Sequence, residues 1–403
     1  MRIYARLVDL LAIYRAELLD RVIPFWPDHA LDGSHGGILT CISDQGEVLS
    51  TDKYLWSQLR AVWTFAALYN RVEPRPEWLK AAQHIYQFAA RYGRDELGRW
   101  VFAVDRSGRP LQGATSIYTD GFAIYGLTEL ARATGDAEVM DLALETYVNV
   151  QERLAQPGSY NTAPYPLPPG VQAHAVSMIF ALAFHELGLL LDDPGILAAG
   201  RHHADQVMDV FLRPEQRLLY EYVGLDGQLL DTPMGRAIVP GHAIESMWFM
   251  IHIYQHWGEE ARIRQAVEAI RWHLELGWDQ ECGGLLLAVD AAGDEPWWPF
   301  AESKLWWPHT EAIYALLLAY AVSKEAWTLE WLQKVHDYAF RHFPVPGYGE
   351  WTQKLDRQGR PFTETVALPV KDPFHLPRAL ILSVNLLEKL TENPTENLTE
   401  KLP

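Results

Sequence analysis

Two histidines frame the chemistry available to this chain. His242 is the third residue of the segment PGHAIESMW, and Glu245 follows three residues later, on the same face of a helix. A carboxylate beside an imidazole fixes its orientation and raises its basicity, as a general base requires. His375 lies in PFHLPRAL with Arg378 three residues on. A nearby guanidinium keeps an imidazole neutral and able to accept a proton. In KYLWSQLRAVW, Trp56, Arg60 and Trp63 fall at i, i+4 and i+7, so two indoles flank a planar cation on one face. In KLWWPHTEAIYA, Lys304, Trp307 and Glu311 fall at i, i+3 and i+7, and Trp306 and Trp307 can form a stacking wall. Taken singly, each has a bland reading as a satisfied helix start, an aromatic core or a buried ion pair. Their recurrence at helix starts points to a site. Trp56, Trp248, Lys304, Trp307 and Arg378 are expected to bind substrate, and no metal ligand set is expected.

The elements that must position these residues are helices. Apolar periodicity predicts about twelve, at roughly 3–21, 53–71, 76–93, 115–134, 137–155, 171–192, 195–211, 239–257, 261–278, 304–321, 327–343 and 373–391. From the second helix on, short turns alternate with long segments. Five long segments contain a short apolar run, a turn with Asp and Gly, and a second run: ILTCISDQGEVLS, WVFAVDRSGRP, LLYEYVGLDGQLL, GLLLAVDAAGDEP and WTQKLDRQGRP. Each reads as a β-hairpin. Six successive helical hairpins make an internal repeat, and a helix pair cannot bury its apolar stripe alone. An all-α (α/α)6 barrel is therefore expected over residues 1–391, with the long segments and the site at one end. An open solenoid is the other closure, but the repeats differ strongly and no polar caps are evident. Residues 392–403 are polar and expected to be disordered.

Composition narrows the partners. Net charge is −18, from 34 basic and 52 acidic residues over 403. That balance argues against nucleic acid and anionic membrane, both of which need basic patches. Sixteen tryptophans suit the stacking of sugar faces. Two cysteines, Cys41 and Cys282, cannot build a disulfide framework. The first twenty residues read as an amphipathic helix, no uninterrupted apolar run of spanning length occurs, and a cytoplasmic location is expected. No Gly-rich phosphate loop and no Gly-x-Ser-x-Gly elbow is present.

The segments GGILTCISDQGEVLSTDKYLWSQLRAVW, PGHAIESMWF, KLWWPHTEA, GYGEW and PFHLPRAL resemble, in order and spacing, the N-acylglucosamine 2-epimerase family, from about Gly36 to Leu380. This superfamily includes cellobiose 2-epimerases and mannose isomerases, and its fold is the (α/α)6 barrel. The resemblance implies that His242 and His375 are the two acid/base residues, with site roles for Arg60, Glu245 and Glu311. His174, in VQAHAVSMIF, is left outside the catalytic set. It further implies a homodimer, no required cofactor, and ATP only as an allosteric effector.

The residues fit that chemistry. The C2 proton of an open-chain aldose is acidic because the C1 carbonyl takes up the charge. Epimerisation removes it from one face and returns it to the other, which two histidines on opposed inner helices can do. Arg60 is the candidate partner for the enediolate, with Glu245 and Glu311 tuning the imidazoles. Metal and redox cofactors are not needed, since no electrons leave the substrate. An aldose–ketose isomerase, or an epimerase of unmodified mannose or cellobiose, would use the same scaffold and enediolate. A glycoside hydrolase could use Glu245 and Glu311 but leaves two histidines unexplained. A non-catalytic carbohydrate-binding scaffold explains the tryptophans but not the paired His/Glu and His/Arg starts.

Overall fold

The computed structural model describes residues 2–156 and 158–392. Twelve helical runs stand where the periodicity predicts them. The first joins α1 (Arg2–Ala16), a π-turn (Glu17–Val22) and α2 (Ile23–His29). Then follow α3 (Leu55–Arg71), α4 (Pro76–Tyr92), α5 (Ile117–Thr134), α6 (Ala137–Leu154), α7 (His174–Leu191) and α8 (Pro194–Gln206). The last five are α9 (Pro240–Trp257), α10 (Glu260–Gly277), α11 (Trp306–Ser323), α12 (Ala326–His342) and α13 (His375–Glu392). Apart from Glu392, which still belongs to α13, the expected polar tail lies outside the described residues.

Burial sorts these helices into two rings. Helices α5, α9 and α11 are buried around nearly their whole circumference, whereas α12 buries a single stripe through Leu329, Leu332, Val335 and Ala339. Helices α3, α5, α7, α9, α11 and α13 pack side by side, and α13 closes the inner ring against α3. Each of α4, α6, α8, α10 and α12 packs outside the inner helix that precedes it. The sixth pair is not a hairpin in sequence, because the outer partner of α13 is α1. The two ends of the chain close the barrel. By length and composition α7 is apolar enough to cross a membrane, but here it is an inner-ring helix, 67% buried.

The long segments depart from the expected hairpins. WVFAVDRSGRP forms one, pairing β2 (Ala103–Val104) with β3 (Pro110–Gln112). In three others the turn is closed by a single bridge, at Ile42–Val48, Val223–Leu229 and Leu355–Pro361. The main pairings run between repeats instead. The short strand before an inner helix pairs with the segment that follows the adjoining outer helix. Thus β1 (Lys53–Tyr54) pairs with β2, β4 (Val171–Ala173) with β7 (Tyr222–Gly224), and β8 (Ala237–Ile238) with β9 (Val289–Asp290). Likewise β10 (Lys304–Leu305) pairs with β11 (Lys354–Leu355); β5 (Leu212–Arg213) and β6 (Leu218–Leu219) pair locally. Runs of two or three residues are too short to hold a hairpin alone, so each takes its partner from the neighbouring repeat. At the ring closure the Lys371 amide donates to Thr40 O at 2.6 Å, and its ammonium donates to Asp44 at 2.7 Å.

Lys304 proves to belong to this framework and not to substrate binding. It lies in β10, two residues before α11 begins, although the expected helix included it, and is fully buried. Its ammonium donates to Asp279 at 3.0 Å and to Arg357 O at 2.6 Å, while the Arg357 guanidinium donates to the same Asp279 at 3.0 Å. The same device stands before α3. Lys53 donates to Asp32 at 3.0 Å and to Arg106 O at 3.3 Å, and Arg106 donates to Asp32 at 2.9 Å. Each Asp–Lys–Arg set clamps two successive long segments. Removing one partner strands a buried charge. Lys304→Met and Lys53→Met are therefore expected to cost similar amounts, about 3 kcal/mol each, read from urea unfolding midpoints. A Lys304→Met protein as stable as the parent would return Lys304 to the substrate.

Candidate active site

The starts of the inner helices surround a cavity of about 460 Å³. His242 stands in the first turn of α9, behind Pro240 and Gly241. The glycine has a packing reason: a Cβ there would come within 2.7 Å of the Trp307 ring. His242 Nδ1 lies 3.0 Å from Glu221 Oε1. Glu221 immediately precedes β7 and is fixed by its own backbone, its carbonyl accepting from the His174 amide at 2.9 Å. Burial disfavours the charged form of His242, but Glu221 more than offsets it, so the pKa is raised above the ordinary imidazole value. The Glu221 carboxyl, despite burial, is held at about 2 by His242 and His174.

His375 opens α13, and its Nδ1 lies 2.8 Å from Glu311 Oε1. Glu311 is itself held: Trp248 Nε1 donates to Oε2 at 2.8 Å, and Arg378 donates to Oε1 at 2.7 Å. The same Arg378 nitrogen also donates to Glu245. Burial pushes His375 down to about 3; Glu245 works against that, and Arg60 and Arg378 add to it. Both histidines engage Nδ1, which leaves Nε2 to face the cavity. Trp307 lies between them, with ring centroids 5.0 Å from His242 and 5.6 Å from His375. One imidazole that favours its proton and one that resists it, on either side of an indole, can move a proton off and onto a carbon held between them.

Arg60 also lines the cavity. Its guanidinium is ion-paired to Asp372 and lies 3.9 Å from the Phe122 ring centroid, 4.6 Å from Trp56 and 4.8 Å from Phe374.

Several expected pairings are replaced by others. The carboxylate on His242 is Glu221, not Glu245, which turns instead to Arg378. Trp63 does not brace Arg60; it is core, stacked on Tyr125 at 5.1 Å. Trp248 and Glu311 stand behind the cavity wall, not on it: Trp248 grips Glu311 and is 2% exposed. Trp56, Trp307 and Arg378 do line the cavity. Sequence reasoning missed Glu221 and Asp372, which come from non-helical segments. It set His174 aside, yet that residue is fully buried 3.6 Å from Glu221, with Nε2 2.7 Å from the Ser246 hydroxyl. Glu245, Glu311 and His375 offer ligand atoms within 4.8 Å of one another, as a cation site would. The Arg378 guanidinium already bridges the two carboxylates.

Comparison with known proteins extends this picture. The family model for N-acylglucosamine 2-epimerase (GlcNAc 2-epimerase) matches residues 37–379. The N-acylglucosamine 2-epimerase of Bos taurus is 33% identical over 399 residues, 96% of this chain and 94% of that protein. Among solved structures, the cellobiose 2-epimerase from Spirochaeta thermophila DSM 6192 superposes with a TM-score of 0.82 at 22% identity, covering 96% of this chain and 98% of that one. A D-mannose isomerase superposes at 0.80 with 17% identity, covering 94% and 98%. These two structures share the fold described above.

The opposite shifts of the two histidines are measurable. The stabilisation from neutral His375 is complete above the ordinary imidazole pKa of about 6.5 and is lost as pH falls toward about 3. The stabilisation from His242 is present below that ordinary value and is lost as pH rises through its raised pKa. Histidine-labelled NMR titration is expected to find His242 titrating above a free imidazole and His375 neutral across the weakly acidic range. Glu221→Gln should bring His242 down and leave His375 in place; an unmoved His242 would show that Glu221 does not set its charge.

Proposed function

The chain belongs to the N-acylglucosamine 2-epimerase family, and from that premise we propose that it interconverts the C2 epimers of N-acylated amino sugars. The carrying observation is the pair of oppositely poised imidazoles flanking Trp307.

In the ring-opened sugar, His375 Nε2 takes the C2 proton. The C2–H electron pair becomes the C1–C2 double bond, and the C1 carbonyl electrons move onto O1. The intermediate is an enediolate, or its 2-acylamido enolate counterpart when C2 carries nitrogen. Glu311, on the Nδ1 side, stabilises the imidazolium as it forms. His242, protonated through Glu221, delivers a proton to the opposite face of C2, the carbonyl re-forms at C1, and the other epimer results. The reverse reaction exchanges the two roles. Arg60 is the donor for O1: its planar fork can hold the developing oxyanion while Asp372 and the surrounding rings keep it fixed. Arg378 neutralises the buried Glu245 and Glu311. Trp56 and Trp307 present faces to the sugar. The reaction moves protons without net oxidation, so neither a metal nor a nicotinamide is needed. ATP would act only as an effector, the location would be cytoplasmic and the assembly a homodimer. The runner-up is an epimerase of unmodified sugars or an aldose–ketose isomerase, which the shared barrel also accommodates.

Turnover of N-acetylmannosamine in D2O should place deuterium at C2 of N-acetylglucosamine. Deuterium at C1 of a ketose would mean an isomerase. His242→Asn and His375→Asn should each reduce epimerisation by roughly 10²-fold or more. Each should retain exchange at C2 of one epimer only, and not the same one. Loss of both exchanges in one variant with both retained in the other would point to a single base. Arg60→Lys should depress kcat more than it raises KM, because charge on O1 grows only as the proton leaves.

A further inference from the structure

The cavity is chemically divided. Going round the inner ring, α3 carries Arg60, and α9, α11 and α13 carry His242, Trp307 and His375. Helices α5 and α7 lie between the Arg60 side and the His242 side. On α7 the lining residues are Ala175, Met178, Ile179, Leu182 and Ala183, at i, i+3, i+4, i+7 and i+8, a single apolar stripe. From α5, Phe122 faces the same space, flanked by Tyr118 and Tyr125, and its ring also contacts the Arg60 guanidinium. Gly121 lets the two helices close: a Cβ there would come within 2.5 Å of the Ile179 side chain. Met178 and Leu182 are 4% and 5% exposed, so the stripe is packed and shaped.

A sugar hydroxyl pressed against the α7 stripe would lose its water and gain no side-chain partner there, which is costly. A methyl group there gains by leaving water. The reacting carbon must sit between the O1 donor on α3 and the histidines of α9 and α13. A substituent on C2 pointing away from Trp307 then meets the α5–α7 stripe. We propose that this stripe is the subsite for the acyl group at C2, with Ala175 and Met178 setting the acyl length it accepts. The inference rests on the reading of the chain as an N-acyl sugar epimerase.

The test is a series of C2 exchange rates in D2O with N-formyl-, N-acetyl- and N-propanoylmannosamine and with mannose. It is run on the parent, on Met178→Ala, which enlarges the subsite, and on Ala175→Val, which shortens it. The readout is the ratio of kcat/KM between acyl groups within each protein, so partial unfolding cancels. The parent should prefer acetyl over formyl by on the order of 10-fold. Met178→Ala should move the preference toward propanoyl, and Ala175→Val toward formyl. If all three proteins give the same acyl ratios, the acyl group lies elsewhere and the subsite is wrong although the epimerase reading stands. If the parent exchanges mannose and none of the acyl sugars, the N-acyl reading itself falls, and the subsite with it.

Discussion

Arg378 holds the centre of this molecule. It is 2% exposed, and its guanidinium bridges Glu245 of α9 and Glu311 of α11 from a position on α13. Two carboxylates buried that deeply would repel each other and each would bear a large desolvation cost. The forked guanidinium meets both and so ties three neighbouring inner helices together at the depth of the cavity. Everything that orients His375 runs through this knot, because Glu311 is placed jointly by Arg378 and Trp248.

The knot also explains why two histidines at equivalent places in the barrel are poised differently. Glu311 divides its charge between His375 and a permanent cation, and Arg60 lies close enough to oppose a second positive charge. Burial therefore prevails, and His375 rests neutral. Glu221 is bonded to imidazoles, with no arginine among its partners, so its charge is available to His242. The protonation pattern of a two-base site is thus set by what else each carboxylate serves, not by the distance from carboxylate to imidazole, which is 3.0 Å in one case and 2.8 Å in the other.

The scaffold was legible because a barrel helix carries its signal within itself. The twelve periodic segments, the long and short connections and the clustering of chemistry at inner-helix starts all follow from local spacing. The site partners were less legible. Pairing at i, i+3 sees only residues on one helix, and so assigned Glu245 to His242. In the folded ring Glu245 meets Arg378 two helices away, and Glu221 reaches His242 from the residue just before a two-stranded pairing with no periodicity of its own. Lys304 and Trp248 were drawn to the substrate by sharing segments with true lining residues, yet both face other protein groups. A signal for Lys304 did exist. DGSHGGIL with Lys53, and DQECGGLL with Lys304, repeat the same Asp, glycine pair and lysine, and the fold uses both as clamps.

Closure by the two chain ends has a consequence for biosynthesis. While the polypeptide emerges from the ribosome, α1 has no partner, and the apolar face that includes Leu7, Leu10 and Tyr14 must wait for α12, whose Phe340 stacks on Tyr14, and for α13, the last described helix to be made. Glu245 and Glu311 are made before the arginine that bridges them, so an unfinished barrel lacks the cation that their burial requires. Asp372, His375 and Arg378 then arrive together, within seven residues of chain. Ring closure, charge neutralisation and completion of the acid–base pair become one event, so a partly synthesised chain holds His242 but cannot yet perform the two-sided chemistry.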